Sequence, residues 1–440
     1  MSKEVKQRNI PWIGKIPDNW TTIRLKNIIV NISSGHTPLS SNEKYYCDNE
    51  DGMPWVTIGD MSDKDYVYNS SKHITNLAVL ECNLNIYKPE TILYAMYASV
   101  GEVSELMVNA TLNQAILGIV FNNELVNRNY VKYALRAYKP FIKSESNGTT
   151  QLNLNLQKTI NLVIPYCSLI QQNIIVDAIR KKESKINALI ANEEKQIEKL
   201  KAYKQSLISD IVTKGLNPNV PMKDSGFYWY GKIRSDAAVI KTLWCLSMPI
   251  TDGPHESPVL YDDGIPFISA EAISFANGGI DFNHARGFIS EEYYKECCKK
   301  YIPQTNDIYM IKSGATTGKV AIVTTNKLFT IWSPLAVFRV DKTKVIPKYM
   351  FYFLQSNFYQ KQVQNKWNYG TQQNIGMRVL EQLFVILPDL EEQSRIVSYL
   401  DNKNQTIDNL IGAKTDKMEK LNQYRQSMIY EYVTGKKEAK

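Results

Sequence analysis

From residue 171 to residue 214 the chain carries neither Gly nor Pro, and its apolar positions recur at alternating spacings of four and three. Ile186, Ile190, Glu193, Ile197, Leu200, Lys204, Leu207 and Ile211 fall on this stripe, six of the eight apolar. Such a heptad seam predicts a long helix that packs on another helix. A matching seam follows: Ile407, Ile411, Lys414, Met418, Leu421, Arg425, Met428 and Tyr432, polar at the same two places. Two matched seams in one chain predict a coiled coil. Elsewhere short apolar runs alternate with turn residues. Pro54-Trp-Val-Thr-Ile58, Thr91–Tyr97, Ala115–Phe121 and Asn161–Ile164 read as strands, and 129–138 and 347–362 as helices.

The seams belong to an internal repeat. Residues 198–208, EKLKAYKQSLI, match residues 419–429, EKLNQYRQSMI, at seven of eleven positions and an offset of 221. At that offset Gln172, Ile175 and Val176 match Gln393, Ile396 and Val397, and Val212-Thr213 match Val433-Thr434. With small changes of offset, Gly52-Met-Pro-Trp resembles Gly264-Ile-Pro-Phe, Gly148-Thr-Thr-Gln resembles Gly370-Thr-Gln-Gln, and Trp12-Ile-Gly-Lys resembles Trp229-Tyr-Gly-Lys. The chain is two copies of one unit. The stretch before each helix keeps only its glycines, prolines and apolar frame, as expected of one scaffold carrying two differently tuned surfaces.

The fold class this predicts is α+β: two tandem strand-rich domains joined by two long helices in an antiparallel coiled coil. A helix of about 44 residues is about 66 Å long, and only a short link (within Thr213–Lys223) leads to the second domain. The second helix therefore most easily runs back along the first. A centred antiparallel register sets Glu193 on Arg425 and Lys204 near Lys414, so the polar seam positions do not themselves choose the direction. A pseudo-twofold pair of unequal domains suits two unlike half-sites on DNA.

Composition narrows the function. In 440 residues the net charge is +8, which permits a nucleic-acid partner without demanding one. No apolar run reaches the ~18 residues of a membrane span, and no secretory leader is read at the N-terminus. The six cysteines lack C-x-x-C spacing and predict reduced thiols in a cytoplasmic protein. Four histidines without H-x-x-x-H spacing argue against a zinc site. Gly314-Ala-Thr-Thr-Gly-Lys319 has one residue too few for a phosphate loop, and Val320 stands where Ser or Thr should hold magnesium, so it reads as a tight turn. There is no N/D-P-P-Y/F adenine-methyltransferase motif, no G-x-G-x-x-G after a strand and no nuclease arrangement. Asp60, Asp281 and Asp307 read as loop caps or solvated groups.

In order and in duplication these motifs resemble the specificity subunits of type I restriction–modification systems. The resemblance is carried by Trp12-Ile-Gly-Lys-Ile-Pro-Asp-Asn-Trp20, Gly148-Thr-Thr-Gln151, Ile164-Pro165, Gly215-Leu-Asn-Pro-Asn-Val-Pro221, Gly370-Thr-Gln-Gln, Pro388-Asp-Leu-Glu-Glu-Gln393 and the final EKL…Y.QS.I…VT. The chain departs from it at Arg234-Ser-Asp-Ala-Ala, where Pro-x-x-Trp is usual. The resemblance implies target recognition domains over 1–167 and 216–388, with conserved helices over 168–215 and 389–440. It implies a non-catalytic DNA-recognition subunit that docks two modification (methyltransferase) subunits, with restriction subunits completing a nuclease. It implies no cofactor on this chain, S-adenosylmethionine being bound by the methyltransferase partner. The competing readings are a single-chain methyltransferase or restriction–modification enzyme, and a coiled-coil scaffold without DNA binding.

Candidate DNA contacts are polar, glycine-bearing loops, because Asn and Gln can bond adenine edges and Lys can reach guanine or phosphate. They are Lys143, Asn147, Thr149, Gln151 and Asn153 in one copy, and Lys366, Asn368, Tyr369, Thr371, Gln373 and Asn374 in the other. His36, Thr37 and His255 sit at equivalent places near each first strand. Lys72 (beside His73), Lys319 and the His284-Ala-Arg286 stretch complete the set. Apolar residues off the seam, Leu189, Tyr203, Ile208, Leu410, Tyr424 and Ile429, predict a face for the methyltransferase subunit.

Overall fold

The computed structural model describes residues 10–48, 52–62, 64–97, 99–142, 154–276, 278–369 and 373–439. It divides into two units, residues 1–193 with 415–440, and residues 194–414. Five helices matter here: α1 (Arg128–Ile142), α2 (Leu169–Lys214), α3 (Pro347–Gln355), α4 (Asn357–Lys366) and α5 (Leu390–Val433). The first unit therefore holds the start of α2 and the end of α5, and the second holds the end of α2 and the start of α5.

Strands of the first unit include β1 (Thr21–Arg24), β2 (Ile29–Ser34), β3 (Met53–Val56), β4 (Tyr66–Val67), β5 (Ile92–Ala95), β6 (Val103–Leu106), β7 (Thr111–Leu112), β8 (Ile116–Phe121) and β9 (Val163–Tyr166). The main sheet runs β2-β8-β5-β6-β4, β3 pairs with β7, and β1 pairs with β9. Residues of β5, and of β8 up to Ile119, are buried on both sides, as their apolar runs demand. The amphipathic α1 packs beside this sheet, and Tyr130, Val131, Ala134 and Leu135 bury in one core with Ile175, Ile179 and Ile186 of α2 and Met428, Tyr432 and Val433 of α5. Ile58 does not extend its strand. Thr57 and Asp60 form a capping box that starts a short helix there.

The second unit repeats the plan with β10 (Ala238–Lys241), β11 (Thr251–Asp252), β12 (Ile265–Ile268), β13 (Ile308–Ile311), β14 (Val320–Ile322), β15 (Thr330–Ile331), β16 (Leu335–Phe338), β17 (Asn368–Tyr369), β18 (Gln373–Asn374) and β19 (Phe384–Leu387). The main sheet runs β11-β16-β13-β14, β12 pairs with β15, and β10 with β19. The single helix expected over 347–362 is two, because Ser356 leaves the helical conformation and its hydroxyl accepts from Tyr359 N, capping α4. At the departure from the resemblance, Arg234 is buried and its guanidinium reaches Glu392 of α5 at 2.8 Å and Asp236. A buried ion pair stands there.

Within each unit the two long helices run antiparallel. Asn187 meets Arg425 and Glu193 meets Lys417 in the first unit; Gln196 meets Lys414 and Lys204 meets Asp408 in the second. Each step forward on α2 is matched by a step back on α5. This corrects the centred register: Glu193 takes Lys417 and not Arg425, and Lys204 takes Asp408 and not Lys414. The offset of about one heptad keeps both seams closed and exchanges a like-charge contact for opposite charges.

The glutamines repeated in sequence have one job in both copies. Gln172 donates to Cys167 O and accepts from Asn127 N; Gln393 donates to Pro388 O and accepts from Ile346 N. Each fully buried amide fixes the start of a long helix to the strand before it and to the approach of α1 or α3.

Candidate nucleic-acid interface

In each unit some of the functional candidates lie where the first strand of the main sheet ends. The cause is a glycine. A Cβ on Gly35 would lie 2.1 Å from Leu112 O, and one on Gly253 would lie 1.9 Å from Ile331 O. Only glycine lets the two backbones approach so closely. The next residues, His36-Thr37 and Pro254-His255, are thereby carried onto the rim of the β3·β7 and β12·β15 pairs.

On the first rim, His36 N donates to Leu112 O and His36 O accepts from the indole of Trp55 at 3.1 Å. The imidazole of His36 is exposed. Thr37 bonds Gln114, a residue that sequence reading did not single out. Lys72 is exposed, with its ammonium 5.9 Å from the centre of the Trp55 ring. His73 is different: it is buried and bonded to Asn69. Lys143, Asn147, Thr149, Gln151 and Asn153 lie outside the described residues. The chain re-enters at Leu154, whose N–H donates to Met96 O at the end of β5.

On the second rim, the buried carboxylate of Asp252 takes Lys300 at 2.5 Å, His255 at 3.2 Å and Lys312 at 3.4 Å, leaving His255 exposed above it. The Gly314–Lys319 segment is the tight turn between β13 and β14: Gly314 and Gly318 have φ of +103° and +95°, and Thr317 bonds Gly314 O through both its N–H and its hydroxyl. Lys319 donates to Ser274 O at 3.2 Å. The β17·β18 hairpin sits on this turn, because Gly314 N donates to Gln373 O and Ile375 N to Lys312 O. Lys319, Gln373 and Asn374 thus meet at this turn, and His255 is linked to it through Asp252 and Lys312. Lys366 is exposed at the end of α4. Asn368 and Tyr369 are placed by backbone pairing to Asn374 and Gln373, and Thr371 lies outside the described residues. Sequence reading also missed Phe275, 67% exposed and stacked on His284 with ring centres 4.4 Å apart.

The three carboxylates read as caps have structural partners. Asp60 caps its helix and accepts from Ser71 N, Asp281 caps the Phe282–His284 turn, and Asp307 holds Arg339 and Tyr301. Hydrogen bonds from Thr57 and Ser71 outweigh burial and hold Asp60 below its ordinary value. No His/Cys/Asp/Glu cluster fit for a metal ion occurs among the described residues, and among them no helix is long and apolar enough to cross a membrane.

The docking face needs correction. Leu189, Tyr203, Leu410 and Tyr424 are exposed, but Ile208 is 2% and Ile429 5% exposed. Ile208 joins the core of the second unit and Ile429 that of the first. Towards its C-terminal end each long helix turns apolar residues off the seam into the core of the unit it reaches there, which a two-helix seam does not reveal.

Residues 17–199 and 258–420 match the family model of the type I restriction modification DNA specificity domain. The type I restriction enzyme MjaIX specificity subunit of Methanocaldococcus jannaschii is 24% identical over 86% of this chain and 84% of its own. The EcoBI specificity subunit of Escherichia coli is 22% identical over 99% and 90%. A solved chain from work on complex assembly and conformational transition of the type I R-M system superposes with a TM-score of 0.63 at 15% identity, covering 95% of this chain and 98% of that one. Two family segments, duplicated rims and paired antiparallel helices agree: the chain belongs to the type I restriction–modification DNA specificity family, as a specificity subunit.

Proposed function

We propose that the two rims read the two unlike halves of an asymmetric, bipartite DNA target, while the helix pair docks two methyltransferase subunits. One observation carries this. The same glycine-built rim occurs in both units, yet His36, Thr37, Gln114 and Lys72 furnish one and His255, Lys319, Gln373 and Asn374 the other. Related scaffolds with different polar edges suit different base sequences. The chain acts as a recognition subunit in the cytoplasm and needs no cofactor of its own. The methyl donor, S-adenosylmethionine, is bound by the methyltransferase partner, and restriction subunits join to form the nuclease.

The test is co-expression with the partner methyltransferase and a genome-wide map of modified adenines. A split motif with a fixed gap is expected. Exchanging residues 20–165 for the equivalent domain of a relative should change one half and leave the other. If both halves change together, the units do not read independently. Methyl transfer by the purified chain alone would favour a single-chain enzyme instead.

A further inference from the structure

Arg286 leaves the Phe282–His284 turn, and its N–H donates to Phe267 O of β12 at 2.9 Å. The residue is exposed, yet its guanidinium carbon lies 3.8 Å from the centre of the Trp332 ring. Among the described residues no carboxylate lies within ion-pair distance of it. Glu271 is bonded first by the hydroxyl of Ser269, which together with the more distant charge of Arg286 holds its carboxyl below the ordinary value.

At 3.8 Å from the ring centre the guanidinium packs on the indole, and its outer edge stays free for another partner. The edge carries the paired N–H donors that fit O6 and N7 of guanine in the major groove. Stacking also removes much of the rotamer freedom an exposed arginine would lose on binding. Trp332 stands on the rim already described, since Ser333 N donates to Pro254 O, next to His255. Its buried indole N–H has no acceptor, so hydrogen bonding does not account for a tryptophan here. What the residue offers is its face.

The first unit builds the same device from other parts. Lys72 lies over Trp55, and Trp55 N donates to Lys72 O at 2.9 Å. The residue in the place of Trp55 in the second unit is Phe267, so there the indole comes from the end of β15 instead. A cation over a tryptophan at the rim is thus assembled twice from different strands, which a shared scaffold alone does not require.

The geometry points to Arg286, packed on Trp332, as a specificity-determining residue that reads a guanine in the half-site of the second unit. This rests on the proposed DNA reading of that unit. The complete chain with its methyltransferase subunits is the object of the test, using Arg286→Ala, Trp332→Leu and Trp332→Phe. Modified adenines are mapped, and binding is titrated at several salt concentrations on duplexes carrying each base at every target position. Arg286→Ala is expected to cut discrimination at one guanine of the second half-site by about 10- to 100-fold, leaving the first half-site intact. Trp332→Leu should lower discrimination at that same position, and Trp332→Phe should restore most of it.

An unchanged map and unchanged discrimination for Arg286→Ala overturn the assignment. So does equal weakening on every duplex with a shallower salt slope, the mark of a phosphate contact. Full discrimination in Trp332→Leu overturns the positioning role of the indole. If the unaltered complex shows no bipartite target, the functional reading itself fails and this assignment with it.

Discussion

The hydroxyl of Tyr130 lies 3.1 Å from the carbonyl oxygen of Val433, 303 residues further along the chain, and 3.1 Å from that of Pro165. Tyr349 stands in the same way between Val212 O at 3.2 Å and Ile386 O at 2.7 Å. Each phenol clamps the end of a long helix to the strand that leads into the other long helix. Burial pushes both hydroxyls well above the usual tyrosine range, so they remain donors.

Replacing Tyr130 by Phe should therefore destabilise the first unit by about 1–2 kcal/mol, the cost of leaving buried carbonyls without a donor. Tyr349→Phe should do the same to the second. Urea denaturation followed by hydrogen exchange at the helix ends separates the two. An unshifted midpoint would show that the clamp is geometric coincidence.

The helix surface divides into docking and packing positions. Tyr203 and Tyr424 are 55% and 49% exposed. Their double replacement by Ala should weaken capture of the methyltransferase subunit with little change in stability. Ile208→Ala and Ile429→Ala should instead cost about 2–4 kcal/mol of stability each, because they leave cavities. Undiminished co-purification of the tyrosine variant counts against that face.

Acid should attack the first unit through Glu105. Burial pushes this carboxyl up, but Arg128 and Lys132 more than offset it, so its value in the fold is below the ordinary one. A lowered value means stability that is complete above the ordinary carboxylate range and drains as pH falls through about 4.3 and below. Glu183 has the opposite sign: burial raises it despite its bond from Tyr133, so its contribution fades as pH rises. Replacing Glu105 and Lys132 together by Gln and Met should flatten the acid limb of a stability–pH curve. An unaltered acid limb would place the loss elsewhere.

The long helices are expected to set the spacing of the half-sites, and residues added in the link within Thr213–Lys223 widen the gap only if that link carries the second unit. In the structure Val212 is already part of the second core. Four extra residues in the link should therefore leave the gap unchanged. Seven residues between Glu193 and Glu194, matched by seven between Lys414 and Thr415, add about 10 Å of helix. The gap in the modified-site map should then grow by about three base pairs at 3.4 Å each. Growth after the link insertion instead would return the ruler to the junction.

Periodicity made the architecture legible. The heptads depend only on which residues are apolar, and the repeat put the same frame on the page twice. The register did not follow, since Glu193 and Lys204 have several charged partners within reach of one heptad's slide. Ile208 and Ile429 were misread because a seam analysis cannot see a third element on the same helix. The candidate loops were found by composition, whereas Trp332 and Arg286 meet only through folding: 46 residues of chain separate a pair whose stacking no local pattern records.

The division of the long helices between units has a consequence for synthesis. The second unit is one continuous stretch, residues 194–414, whereas the first lacks residues 415–440 until almost the whole chain has been made. The copy that begins translation first is thus the last to be completed. Until then Ile175, Ile179 and Ile186 wait beside a core whose remaining members, Met428, Tyr432 and Val433, have not left the ribosome.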